Sequence, residues 1–203
     1  MKNTTNRTDQ KPTTNTPSST ERNNFVGGNL SGAQVNFAPS AKNCQVIIGV
    51  GCRLEGLQIN LYAENLLVDI GNNNVIRGEI HMKISSAKVI IGNNNRIRNH
   101  VFMNVGSDIS IGNDCLFASV KFRSTDSHKI FELKTKERIN SNKPISIQNR
   151  VWLAEDVMLL GGSSVGNDSV VGARSLVTSE IPQNSLAVGS PAKIVKSGIY
   201  WEE

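Results

Sequence analysis

Six aliphatic residues, Ile147, Leu153, Leu159, Val165, Val171 and Val177, recur every six positions toward the C-terminal end of the chain. Four residues after each stands a small or branched one: Val151, Val157, Ser163, Ser169, Ser175 and Ile181. An α-helix cannot use this interval, because six steps of about 100° carry each apolar residue some 120° away from a continuous stripe. A triangular β-solenoid uses it directly, with one six-residue unit per side and the aliphatic residue pointing inward. The pattern predicts an all-β chain wound as a parallel β-helix of hexapeptide repeats. Interruptions of the repeat then become the places to look for chemistry.

The repeat continues upstream with less regularity. Ile48, Ile70, Ile91 and Ile111 each precede Gly, and Ile147 and Val165 begin equivalent units, at intervals of 22, 21, 20, 36 and 18 residues. Three six-residue sides make a coil of 18, so the first three intervals are single coils with a few extra corner residues. Leu54, Ile76, Ile97 and Phe117 stand one unit further on, as that register requires. Gly71-Asn72-Asn73-Asn74 and Gly92-Asn93-Asn94-Asn95 are expected at corners, since Gly and Asn adopt positive φ at least cost.

Composition supports one folded domain over residues 25–203. The chain is 38% hydrophobic but only 5% aromatic, which suits a thin solenoid filled with Ile, Val and Leu. Residues 1–24 differ: fourteen are Asn, Thr or Ser, and Met1 is the one sizeable apolar side chain. That segment is expected to be a disordered polar tail. It carries no apolar signal core, and no run elsewhere is long enough to span a membrane. The net charge of +5 is spread without a basic block interleaved with aromatics, which argues against nucleic acid. A modest positive balance instead favours encounter with an anionic cofactor or an acidic polysaccharide. Three unclustered cysteines, Cys44, Cys52 and Cys115, point to reduced thiols and a cytoplasmic protein. Cys115 occupies an inward position four after Ile111. His81 and His100 occupy different positions in the repeat, so no metal site is expected.

The 36-residue interval from Ile111 to Ile147 equals two coils. A hidden second coil would place Lys129, Thr135 and Ser141 inside the core, where unpartnered polar groups are costly. One coil interrupted by an excursion near residues 124–144 is the better account, and long loops in compact domains are usually functional. The excursion opens with Ser124-Thr125-Asp126-Ser127-His128 and returns through Lys134-Thr135-Lys136-Glu137-Arg138-Ile139-Asn140.

With these residues in view, the chain over about 45–200 resembles the hexapeptide-repeat acyltransferases, and within them the O-acetyltransferases. The resemblance rests on four segments. They are Asp126-Ser127-His128 in the loop, Val151-Trp152-Leu153-Ala154 with its Trp 24 residues after the His, Val171-Gly172-Ala173-Arg174-Ser175-Leu176-Val177-Thr178, and Ala187-Val188-Gly189-Ser190-Pro191-Ala192-Lys193-Ile194-Val195-Lys196. The loop and its Glu137-Arg138-Ile139-Asn140 return look most like capsule-polysaccharide enzymes of the polysialic acid O-acetyltransferase type. The resemblance implies a left-handed solenoid, unlike the usual right-handed crossover, and a homotrimer with sites between subunits.

Acetyl transfer from a thioester to a sugar hydroxyl needs a base for the hydroxyl proton, a donor for the developing oxyanion, and both reactants held in line. His128 is the candidate base, as imidazole titrates near neutral pH. Asp126 is a candidate to orient it, with a backbone carbonyl as the alternative. The resemblance implies that the Trp152 indole N–H lies at the thioester, the structural alternative being an aromatic at a trimer interface. It also implies acetyl-CoA along a groove near the C-terminal end, against Ala154, Glu155 and Ala173, with Thr178, Lys193 and Lys196 toward its phosphates and adenine. Ser179 stands where many relatives have Lys, and Ala154 where Gly is frequent. The expected function is acetyl transfer from acetyl-CoA to a hydroxyl of a carbohydrate acceptor, an acidic polysaccharide or its sugar. The alternatives are N-acetylation of an amino-sugar nucleotide and a non-catalytic carbohydrate-binding β-helix.

Overall fold

The computed structural model describes residues 23–203; the polar tail expected over 1–24 lies almost wholly outside the described residues. Within them every regular element is a strand, and three sheets form the sides of a prism. In the first sheet, Ile48, Ile70, Ile91, Ile111, Ile147 and Val165 pair in parallel, one above the next, and all are buried. The second sheet stacks Ile97, Phe117, Leu153, Val171 and Ala187. The third stacks Ile59, Ile80, Met103, Phe122, Leu159 and Val177. These columns form one core running the length of a left-handed parallel β-helix. Each fully buried aliphatic side chain contributes about 1.5–3 kcal/mol.

The six-residue period also has a backbone cause. Three residues after Ile147, Leu153, Leu159, Val165 and Val171 the chain turns a corner at positive φ: Arg150 (53°), Asp156 (57°), Gly162 (92°), Asp168 (58°) and Arg174 (58°). The Asn runs do form corners, with Asn73 at 57° and Asn94 at 59°. They also do more than turn the chain. Asn72, Asn93, Asn113, Asn149 and Asn167 form an exposed ladder in which each side-chain oxygen accepts the backbone N–H of the residue one coil below, from Val50 N–H to Asn149 N–H. Asn74 and Asn95 instead point inward, fully buried, and donate to Gly92 O at 2.7 Å and Gly112 O at 2.9 Å. Gly71 is required beside this ladder, because a Cβ there would lie 2.6 Å from Asn93 Oδ1 and 2.7 Å from Gly92 O.

Ile181 departs from its expected place. Read as a residue four after Val177, it pairs instead with Val165 and continues the first-sheet aliphatic column. The corner before it is two residues short. At the C-terminal end, Lys193–Ser197 pairs antiparallel with Ser185–Val188 and covers the last edge of the second sheet, which would otherwise expose unpaired backbone groups. At the other end, Asn24 donates to Ala41 O and accepts Cys44 N–H, which anchors the chain where it enters the first coil. The three cysteines are free and buried, and burial raises the Cys115 thiol to about 11.

Candidate active site

The 36-residue interval is one coil with an excursion. Ile145–Ile147 pairs directly with Ile109–Ile111, so no coil is hidden between them, and Lys129, Thr135 and Ser141 are exposed. The insert leaves the third sheet after Arg123 and enters the first at Ile145. Both of its ends are pinned to one glycine. The Ser124 hydroxyl accepts Gly106 N–H at 3.0 Å, and Asn142 Nδ2 donates to Gly106 O at 3.0 Å. Gly161 N–H bonds Arg123 O, and Gly162 N–H bonds Pro144 O, so the next coil holds the insert from above.

Beyond this base the insert forms a short hairpin. Phe131 and Arg138 bridge antiparallel, with Glu132 N–H bonded to Glu137 O and Ile139 N–H to Ile130 O. Thr125 Oγ1 accepts Ser127 N–H, and Ser127 turns at a φ of 65°, which carries His128 outward into solvent. Asn140 closes the neck. Its Nδ2 donates to His128 O at 2.7 Å and to Asp126 Oδ2 at 3.0 Å, and its Oδ1 accepts Ile130 N–H at 2.7 Å. Asp126 therefore reaches Asn140, and no hydrogen bond joins it to the His128 ring among the described residues. A recess lined by Arg123, Thr125, Asp126, Asn140, Lys143 and Leu160 lies between the hairpin and the coils.

Trp152 lies at the far end of the first-sheet strand that the insert feeds, past the Arg150 corner, at the start of the second sheet. It is 38% exposed and packs against Trp201 at 6.1 Å between ring centroids. Trp201 is fixed in turn, its indole N–H bonded to Arg150 O at 2.7 Å and its ring under the Arg150 guanidinium. Asp168 accepts from Arg150 Nε at 2.7 Å and favours its charged form. The chain thus holds His128 and Trp152 at two different edges of the prism, and no bond or ring contact joins them among the described residues.

The residues expected at a cofactor divide in the same way. Ala154, Glu155 and Ala173 share the edge between the second and third sheets, where Glu155 accepts from Asn99 Nδ2. Lys193 and Lys196 are exposed on the closing antiparallel strand of the second sheet. Thr178 stands past the end of the third sheet, on the other side of that face from Ala173. Asn140 and Trp201 were not among the expected site residues. Asn140 lies within the return segment Lys134–Asn140, whereas nothing near Trp201 in sequence links it to Trp152. His81 bonds Glu79 at 2.7 Å and stacks on Tyr62, and no group of three or more metal-ligating side chains occurs among the described residues.

No family model matches the chain. The polysialic acid O-acetyltransferase of Neisseria meningitidis is 32% identical over 162 residues, covering 78% of this chain and 75% of that protein. The chain belongs to the hexapeptide-repeat acetyltransferases of the polysialic acid O-acetyltransferase type. The crystal structure of the polySia specific acetyltransferase NeuO agrees, with a TM-score of 0.76 and 31% identity over 89% of this chain and 87% of that one. The polysialic acid O-acetyltransferase of Escherichia coli O1:K1 is 32% identical over 135 residues, 66% of this chain. There the match spans only 44% of that protein, under half its length. Against this family, the pinned hairpin with His128 and the edge bearing Trp152 are the two parts of the fold that carry candidate chemistry.

Proposed function

We propose that this protein transfers acetyl from acetyl-CoA to a hydroxyl of an acidic polysaccharide, with His128 as general base. The observation that carries this reading is the match to a polysialic acid O-acetyltransferase over 78% of the chain. The net charge of +5 suits a polyanionic acceptor.

The site is completed by a second copy of the chain. The hairpin exposes Ile130, Phe131, Leu133 (83%) and Ile139 (63%), a cluster of apolar side chains that a partner surface would cover. Seating that hairpin against the Trp152 edge of a neighbour brings His128 to the indole, and three such head-to-tail contacts close into a trimer. The donor fits the edge between the second and third sheets, where Ala154, Gly172 and Ala173 present little side chain and leave the backbone approachable. Lys193 and Lys196 supply positive charge for phosphates.

In the reaction, the His128 imidazole takes the proton of the acceptor hydroxyl as its oxygen bonds the acetyl carbon. The carbon–sulfur bond breaks, and the imidazolium returns the proton to the departing thiolate of coenzyme A. Trp152 N–H serves as a donor beside the reacting thioester. Asn140 sets the backbone on either side of His128, so the ring is presented from a fixed neck.

The test is incubation of the protein with labelled acetyl-CoA and polysialic acid. Label in the polymer that is released by mild alkali is an ester and supports the reading. Alkali-stable label would show N-acetylation, and binding without transfer would show a carbohydrate-binding module.

A further inference from the structure

The outer face of the second sheet carries arginines that the proposed reaction leaves without a task. Arg53 bridges Val75, Val75 bridges Arg96, and Arg96, Leu116 and Trp152 continue the same column in register. Arg96 therefore stands two inter-strand spacings, about 10 Å, before Trp152. Arg98 stands beside it, and both side chains are more than half exposed. They converge on one oxygen: Glu203 Oε1 accepts from Arg96 Nη1 at 2.8 Å and also from Arg98 Nη2. Arg96, Leu116, Arg150, Trp201 and Glu203 line one recess, next to the indole pair of Trp152 and Trp201.

The geometry points to the Arg96–Arg98 fork as a carboxylate subsite for an acidic sugar of the acceptor, occupied in the free protomer by this chain's own Glu203. The inference rests on the polysaccharide acceptor proposed above. Two guanidinium groups meeting one carboxylate oxygen make the charge-assisted contact by which proteins hold carboxylates. A neighbouring indole offers the flat, amphipathic surface against which a sugar ring packs. Glu203 shows that a carboxylate fits the fork, and an ion pair this exposed is weak enough to be displaced. A polymer bearing many carboxylates has the advantage of repeated contacts along the same face, where Arg53 continues the Arg96 column and Arg77 lies 3.9 Å from Glu55 in a second exposed ion pair. A sugar held at the fork leaves its neighbours along the polymer within reach of Trp152.

The experiment is direct binding of polysialic acid to the full chain, without acetyl-CoA, compared with the same polymer after its carboxylates are reduced to alcohols. Glu203→Gln removes the internal competitor and is expected to tighten binding about threefold to tenfold, while the R96Q/R98Q double variant weakens it by about tenfold or more. The reduced polymer is expected to respond to neither change. These side chains are exposed, so melting temperatures should stay near wild type. Unchanged affinity in both variants, or displacement of the polymer by coenzyme A, would overturn the subsite. Binding that follows the pattern without acetyl transfer would remove the transferase reading and leave the subsite. Full transfer by R96Q/R98Q at limiting polymer would do the reverse.

Discussion

Asn140 donates its side-chain amide to the backbone carbonyl of His128 at 2.7 Å, across the neck of the insert. The same nitrogen reaches Asp126, and the side-chain oxygen receives Ile130 N–H, so one residue fixes both flanks of the candidate base. Asn140→Ala should lower kcat about tenfold with little change in melting temperature, because the insert stands outside the core. Asn140→Asp keeps an acceptor for Ile130 but cannot donate to His128 O, so it should be no better. Hydrogen exchange over 126–131 should rise in both. Normal kcat with raised exchange would show that the neck does not position the base.

The apolar hairpin should be needed for assembly. Leu133→Asp paired with Ile139→Asp places two charges where the proposed contact forms, and desolvating them there is costly. Sedimentation should show trimers replaced by monomers, with the circular dichroism of the β-helix unchanged. Trimers that persist would place the subunit contact elsewhere.

Core positions should behave differently from site positions. Phe117 is fully buried between Ile97 and Leu153 and lies 6.0 Å from the Phe122 ring. Phe117→Ala should cost about 3–5 kcal/mol in chemical denaturation. Asn95→Leu should cost about 1–3 kcal/mol for each partner it strands, here Cys115 N–H and Gly112 O. A cost under 1 kcal/mol in either variant would mean that the coils relax around the change.

Burial lifts the Cys115 thiol to about 11 in the folded chain, from an ordinary 9.0. The folded state therefore keeps a proton that the unfolded state loses as pH rises through that interval. The contribution of this residue is fully present below about pH 9, where it adds no pH dependence, and stability should fall between about pH 9 and 11. Cys115→Ser should flatten that decline. At pH 8 the native protein should resist thiol alkylation until denaturant is added, and rapid labelling of the folded chain would contradict its burial.

The columns through Ile111 and Ile147 were legible because a period of six records the prism directly in the sequence. The insert at 124–144 was legible for the same reason, as a break in that period with polar residues where the core would be. Ile181 reads as a position four after Val177 because shortening a corner by two residues leaves the apolar residue itself unchanged. The positive φ of Arg150 and Arg174 has no sequence signal, because the corner imposes that conformation whatever side chain occupies it. The inward turn of Asn74 and Asn95 depends on hydrogen bonds to the next coil, which no local pattern reveals. Triad chemistry offers Asp126 or a backbone carbonyl as the partner of His128, and the contact of Asp126 with Asn140, fourteen residues further on, is set by the closed neck of the insert and has no local signal.

The shared site between His128 and Trp152 is tested most directly by mixing two inactive variants. His128→Ala should lower kcat by about 10² or more through loss of general-base catalysis, and Trp152→Ala should also be impaired while remaining trimeric. Unfolded together in equal amounts and refolded as mixed trimers, each contact then has about one chance in four of joining an intact His128 to an intact Trp152. Acetyl transfer to polysialic acid should return to about a quarter of the wild-type rate. A mixture no more active than its two components, or a His128→Ala variant that loses less than fivefold on its own, would contradict the account.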